Sequence, residues 1–222
     1  VRVAIFGASG MVGGGVLLEC LDDPRVESVL VVGRTPTGIR HPKLEEILHR
    51  DFFDYAPLRS RLAGLDACFF CLGVTSAGKS EAEYTRLTYD LTLAAASTIA
   101  EASPGAVFVY VSGVGTDSTE RGRVMWARVK GRTENALLAL PFRGAYMMRP
   151  GFIQPLRGVR SRTPLYQVFI SALAPLFPLA RKLFPRHVVT TVEVGRAMIR
   201  LADEGDARKI LEPADIRRLA AA

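Results

Sequence analysis

At 222 residues, 49% apolar and 23% charged, the chain has the length and composition of one α/β domain with a full core, which excludes a disordered or disulfide-stapled protein. Its net charge of +7 is carried by 24 arginines against 5 lysines, a balance suited to anionic ligands. The basic residues are scattered and no aromatic-basic module accompanies them, so no nucleic-acid partner is expected.

The chain opens on an apolar strand, Val1–Phe6, that runs into Gly7-Ala8-Ser9-Gly10-Met11-Val12-Gly13 and then a helix, Met11–Leu21. This strand–loop–helix setting makes the glycine spacing a dinucleotide signature. Gly7 permits the turn, Gly10 lets a pyrophosphate approach the backbone, and Gly13 lets helix and strand pack closely. Ser9, Met11 and Val12 lie where the helix N-terminus offers free N–H groups to phosphates. Gly14 and Gly15 weaken the helix start and have no chemical role in this reading.

The second strand, Ser28–Gly33, ends in Arg34-Thr35 with no acid at its tip. NAD sites place an acid there for the ribose hydroxyls, whereas Arg34 can grip a 2′-phosphate, so NADP is favoured over NAD. A third strand, Glu46–Arg50, brings Asp51 and Phe52 to the adenine end, with Asp51 set to accept from the adenine amino group or to cap a helix with Asp54. A short helix is expected over Pro57–Leu62.

The fourth strand, Asp66–Leu72, holds Cys68-Phe-Phe-Cys71. Side chains three apart on a strand face opposite ways, so this is not a redox pair. With Cys20, the three thiols form no disulfide framework and suit a reducing compartment. No basic leader or cleavage site precedes the first strand, and a cytoplasmic protein is expected. The next segment, Gly73-Val-Thr-Ser-Ala-Gly-Lys79-Ser80, matches the P-loop pattern between a strand and a helix. Against it, no later strand ends in the acid a magnesium site needs. In a Rossmann sheet, Cys71, Leu72 and Gly73 pass beside the nicotinamide half of a dinucleotide, which explains small residues there without a triphosphate.

A helix over Ser80–Ala102 leads to a fifth strand, Ala106–Ser112, then a helix, Arg123–Ala139, and a sixth strand, Gly144–Arg149. Helices Thr191–Ala202 and Ala214–Leu219 close the chain. The near-continuous apolar strands alternating with helices predict a doubly wound parallel sheet, a Rossmann fold. Residues 1–222 read as one domain, with 151–190 a small cap-like substrate region near the C-terminus. Within it, Pro164–Ala180 runs seventeen residues without a charge. As a helix it would reach only about 25 Å against a hydrocarbon core of roughly 30 Å, and Pro175 and Pro178 interrupt it. A core or homodimer helix, a lid over an apolar substrate, and a membrane-surface element all stay open. His41, His49 and His187 lack metal-ligand spacing, so no metal is expected.

Taken together, Gly-Ala-Ser-Gly at 7–10, Cys-Leu-Gly at 71–73, Arg128-Val129-Lys130-Gly131, Arg149-Pro150-Gly151, Val188-Val189-Thr190-Thr191 and Arg196-Ala197-Met198 resemble the atypical short-chain dehydrogenase/reductases, particularly the Tat-interactive-protein-like oxidoreductase group. The resemblance implies a serine that orients the substrate carbonyl, at Ser112, and a lysine that holds the ribose, at Lys130. It also implies that the turn at Pro150-Gly151 meets the carboxamide end of the nicotinamide. The family tyrosine four residues before the lysine is missing: position 126 is Trp. Indole cannot relay a proton, though Trp126 can stack on the nicotinamide or wall an apolar pocket. Tyr110 and Tyr84 are the substitutes within the expected reach of the site.

Two functions follow. One is an NADP(H)-dependent oxidoreductase on a small apolar carbonyl compound or alcohol. The other is a non-catalytic NADP(H)-sensing or scaffold protein, which Trp126 favours. Nucleoside-triphosphate binding through the 73–80 loop is a third.

Overall fold

A computed structural model describes residues 1–159 and 188–221. Its main sheet is built from β1 (Arg2–Phe6), β2 (Ser28–Gly33), β3 (Leu44–Leu48), β4 (Ala67–Phe70), β5 (Val107–Val111), β6 (Gly144–Met148) and β9 (Ile210–Leu211). All are parallel, in the order β3-β2-β1-β4-β5-β6-β9. The expected doubly wound sheet is therefore present. β7 (Phe152–Gln154) and β8 (Val188–Thr190) form a separate parallel pair.

Successive strand residues serve opposite faces. Val3, Ile5, Val29, Val31 and Phe69 pack on one face with α1 (Met11–Asp22) and, beyond residue 187, with α5 (Thr191–Asp203) and α6 (Pro213–Ala221). Ala4, Phe6, Leu30, Val32, Cys68 and Phe70 pack on the other. There they meet α3 (Leu91–Ala102) and α4 (Met125–Leu138). Cys68 and the strand-end Cys71 thus belong to opposite cores, as the strand argument requires, and burial pushes both thiols up.

The expected helix over 80–102 is a single run with an irregular centre. α2 (Glu81–Thr85) is capped by Ser80 and Glu83, whose side chains reciprocally bond each other's backbone. It then passes through a π turn, Arg86–Asp90, into α3.

Several boundaries move. β3 lies two residues earlier than expected, as a half-exposed edge strand whose Glu46 accepts from the Thr37 N–H. The expected helix at 57–62 is a 3₁₀ turn at Ala56–Leu58, whose Ala56 N–H donates to the Asp54 carboxylate. β7, β8 and β9 are two or three residues long, too short for periodicity to reveal. Most of the cap-like 151–190 region, with the apolar 164–180 segment and His187, lies outside the described residues.

Gly15 has a packing role the sequence left unexplained. A Cβ there would stand 2.5 Å from Thr191 Cβ, so glycine lets α1 and the start of α5 touch. Gly14 similarly faces Ala8 O and Val159.

Candidate active site

The strand order reverses between β1 and β4, and in open α/β sheets ligands bind outside the carboxyl ends at such a point. A cleft of about 650 Å³ opens there. It brings together most of the residues singled out in the sequence: Gly7, Ser9, Gly10, Met11 and Val12 from the first loop, and Arg34 from the tip of β2. Cys71, Leu72 and Gly73 follow β4, Ser112 follows β5, Trp126 and Lys130 come from α4, and Pro150 and Gly151 follow β6. Val111, Gly113, Val114 and Ile153 complete the lining, and nothing in the sequence marked them.

Four expected residues do not line it. Gly13 lies beneath the loop, where an added Cβ would meet Gly7 O at 2.3 Å, so its role is the close packing expected of it. Thr35 stands beyond Arg34 on the exposed side. Asp51 is exposed and accepts from the Phe53 N–H in a turn of its own, while the Phe52 ring is buried against His49 and Tyr55. The cause is the early end of β3 at Leu48, which leaves 49–55 to fold back on itself.

The first half of the cleft fits a dinucleotide. Gly7 holds φ +85°, a conformation costly for other residues, and an added Cβ would lie 2.9 Å from the Cys71 backbone. Gly10 caps α1 without any side-chain hydrogen bond, so the orphan N–H groups of its first turn face the cleft. The Arg34 guanidinium makes no hydrogen bond or ion pair among the described residues.

The second half is made of side chains. The Lys130 ammonium donates to the Ser112 carbonyl at 2.5 Å. Burial pulls its pKa down to about 8, opposed by the Glu134 carboxylate one helical turn on. Ser112 Oγ donates at 2.5 Å to Glu134 Oε1 and lies 3.1 Å from Met148 O. Glu134 is wholly buried and paired with Arg149, whose Nε reaches Oε1 at 3.1 Å and whose Nη2 meets Oε2. Arg149 also donates to Ser118 Oγ at 2.6 Å. A buried carboxylate is tolerable only with such partners. Sequence reading missed Glu134; its signal is the spacing 126, 130, 134, which sets Trp126, Lys130 and Glu134 along one helical face.

The two substitute tyrosines are elsewhere. Tyr110 and Tyr84 are buried in the core, burial raises both phenols, and neither lines the cleft. In the P-loop-like segment, Ser80 is committed to its capping box with Glu83, and the Ala77 and Lys79 N–H groups bond Thr75 Oγ1 and Ser76 O. The loop is therefore closed on itself rather than wound around an anion site, and Glu83 puts negative charge in the first turn. Among the described residues no cluster of His, Cys, Asp or Glu has the grouping to hold a metal, and no helix is long and apolar enough to cross a membrane.

No family model matches the chain. It is 28% identical over 221 residues to the protein fmp52-2, mitochondrial, of Aspergillus oryzae, across 97% of this chain and 95% of that one. The protein fmp52, mitochondrial, of Aspergillus clavatus is 30% identical over 163 residues, 70% of this chain and 68% of that one. Structural neighbours include a short chain dehydrogenase family protein of Francisella tularensis and the Bordetella bronchiseptica enzyme WbmF in complex with NAD+. Among them is DesIV, the dTDP-glucose 4,6-dehydratase of Streptomyces venezuelae with NAD and TYD bound. Its TM-score is 0.69 at 18% identity, over 95% of this chain and 74% of that one. The expected short-chain dehydrogenase/reductase architecture stands. The cytoplasmic expectation does not, because these relatives are named as mitochondrial proteins. Free, buried thiols suit any reducing compartment and never discriminated between them.

Proposed function

The chain belongs to the fmp52 family, and we propose that it is an NADP(H)-dependent oxidoreductase acting on a small apolar carbonyl compound or alcohol. The observation that carries this reading is the pairing on one cleft of a helix N-terminus without a side-chain cap and Arg34, which has no partner among the described residues. The first suits a pyrophosphate and the second a 2′-phosphate. The bound cofactor supplies or accepts a hydride at the nicotinamide. Lys130 holds the ribose, Ser112 orients the substrate oxygen, and Pro150-Gly151 meets the carboxamide. Val111, Val114, Ile153 and Trp126 give the reacting end an apolar wall, which supports an apolar substrate. Residues 1–222 act as one domain in this reading, with 151–190 as the substrate-side region.

A second reading, a non-catalytic NADP(H) sensor, draws support from Trp126 and from the Ser112 hydrogen, which is given to Glu134 rather than to the cleft. A fluorescence titration tests both cofactor choice and site. Trp126 is the only tryptophan and lines the cleft. Quenching by NADPH, weaker quenching by NADH and none by ATP is expected. Tight ATP binding without an NADPH response would sink the dinucleotide reading and revive the 73–80 loop. NADPH consumption with an aldehyde separates the oxidoreductase from the sensor.

A further inference from the structure

A carbonyl reduction needs a proton as well as a hydride, and the residue that supplies it in the resembled enzymes is replaced by Trp126. The cleft lining limits the substitutes. Among the described residues its groups with a transferable proton are Ser9, Ser112, Cys71, Arg34 and Lys130. Arginine does not deprotonate in proteins, and burial pushes the Cys71 thiol up to about 12. The Ser112 hydrogen is already given to the anionic Glu134. Ser9 sits on the pyrophosphate loop, on β1's side of the cleft, across from the reacting end.

Lys130 remains, and its geometry fits. One of its three N–H groups is fixed on the Ser112 carbonyl at 2.5 Å, which holds Nζ beside the residue that orients the substrate oxygen. It lines the cleft one helical turn from Trp126, on the same face.

Resting on the oxidoreductase reading above, we propose that Lys130 is itself the catalytic acid–base group of this site, giving a proton from Nζ to the substrate carbonyl oxygen in place of the absent tyrosine. As the carbonyl carbon receives a hydride from the reduced nicotinamide dinucleotide, the C=O π pair moves onto oxygen and forms the new O–H bond. The Nζ–H bond breaks, its electron pair stays on nitrogen, and water reprotonates the neutral amine. The carbonyl is reduced, the cofactor oxidised, and alcohol oxidation runs the same transfers backwards.

The charges facing Nζ support a lysine that titrates near neutrality. Glu134, on its own helix, favours the ammonium, but that carboxylate is shared with Arg149 at the end of β6 and with Ser112 at the end of β5. Arg34 and Cys71 line the same cleft from the β2 and β4 edges. Burial outweighs Glu134 and draws Lys130 to about 8, where an acid–base group is most effective. Glu134 and Arg149 are positioning residues: the carboxylate takes the Ser112 hydrogen and the guanidinium holds the carboxylate.

The test is an NMR titration of protein carrying carbon-13 at lysine Cε, with Lys130 identified by its missing signal in Lys130→Met. Lys130 is expected to titrate at about 8, while the other lysines titrate near about 10.4. Lys130 titrating with the rest overturns the proposal. A second arm follows NADPH-driven reduction of 4-nitrobenzaldehyde against pH. The wild-type rate is expected to fall about tenfold per pH unit above the Lys130 pKa. At saturating NADPH, Lys130→Arg should lose at least about a hundredfold in rate, together with that pH dependence. A Lys130→Arg protein with the wild-type rate and profile overturns the proposal. If NADPH quenches Trp126 in no variant, the oxidoreductase reading itself fails, and that result is distinct from a normal Lys130 titration.

Discussion

The two ends of the cleft are made of different material. The end at β1 and α1 is backbone: glycines that bring main chain close, and a helix N-terminus with no side-chain cap. The end at β5, α4 and β6 is side chain: an ammonium, a hydroxyl, a carboxylate and a guanidinium, largely buried and held on one another. A backbone site binds whatever carries the right charge and shape, at little cost to the fold. A buried network of charges is costly unless complete, so each member depends on the rest.

That contrast predicts where substitutions act. Glu134→Ala leaves Arg149 without its buried partner and should destabilise the protein by about 3–5 kcal/mol. For a chain of this size that is a fall in Tm on the order of 10 °C, measurable by calorimetry. A fall of a degree or two would show that the network carries little and break the contrast. Arg34→Ala, at the backbone end, should leave Tm alone and weaken NADPH by roughly ten- to a hundredfold, the worth of about 1.5–3 kcal/mol, with NADH unchanged. Equal weakening of both cofactors would remove the 2′-phosphate role.

Lys130→Met sharpens the comparison through pH. The folded pKa of Lys130 lies at about 8, below the unfolded value of about 10.4. Holding its charge in the fold therefore costs stability in full below about pH 8. The cost is relieved as pH climbs through the folded value toward the unfolded one, because the unfolded chain then binds the extra proton. The Met variant should be more stable than wild type at pH 7, by about 1–3 kcal/mol, with the gain vanishing toward about pH 10.4. Denaturant melts at both pH values measure it. The smallest effect is expected from Lys79→Ala, which should alter stability by less than about 0.5 kcal/mol and leave NADPH quenching intact.

The same contrast explains what could be read in the sequence. Backbone sites leave residues at fixed spacing on one stretch of chain, so the glycine loop and Arg34 at a strand tip were legible, as was the doubly wound parallel sheet that carries them. The side-chain end draws on three elements far apart in sequence. Ser112 and Lys130 were found by resemblance, but Glu134 sits unmarked in a helix, and Arg149 belonged to a quoted motif without a role. Asp51 and Phe52 were misplaced because the edge strand ends earlier than its apolar residues suggest, and an edge strand has too little burial to fix its limits. Gly15 read as a weakness because Thr191, its reason, lies far along the chain.

The π turn at Arg86–Asp90 has a consequence for chain length. Its hydrogen bonds skip one residue more than an α-helix allows. Removing a single residue from 86–90 would restore an unbroken α-helix while leaving the residues before it on nearly the same faces, because the π turn is where the helix absorbs one extra residue. The cores beneath α3 would stay. Tyr84 would keep its buried place, and Glu81 would keep Arg128, which ties it to α4 and, through Gly122 O, to the loop after Ser112. This flank of the site can thus lose one residue without being re-aimed, whereas a deletion in a helix with no such turn would rotate everything before it by about 100°.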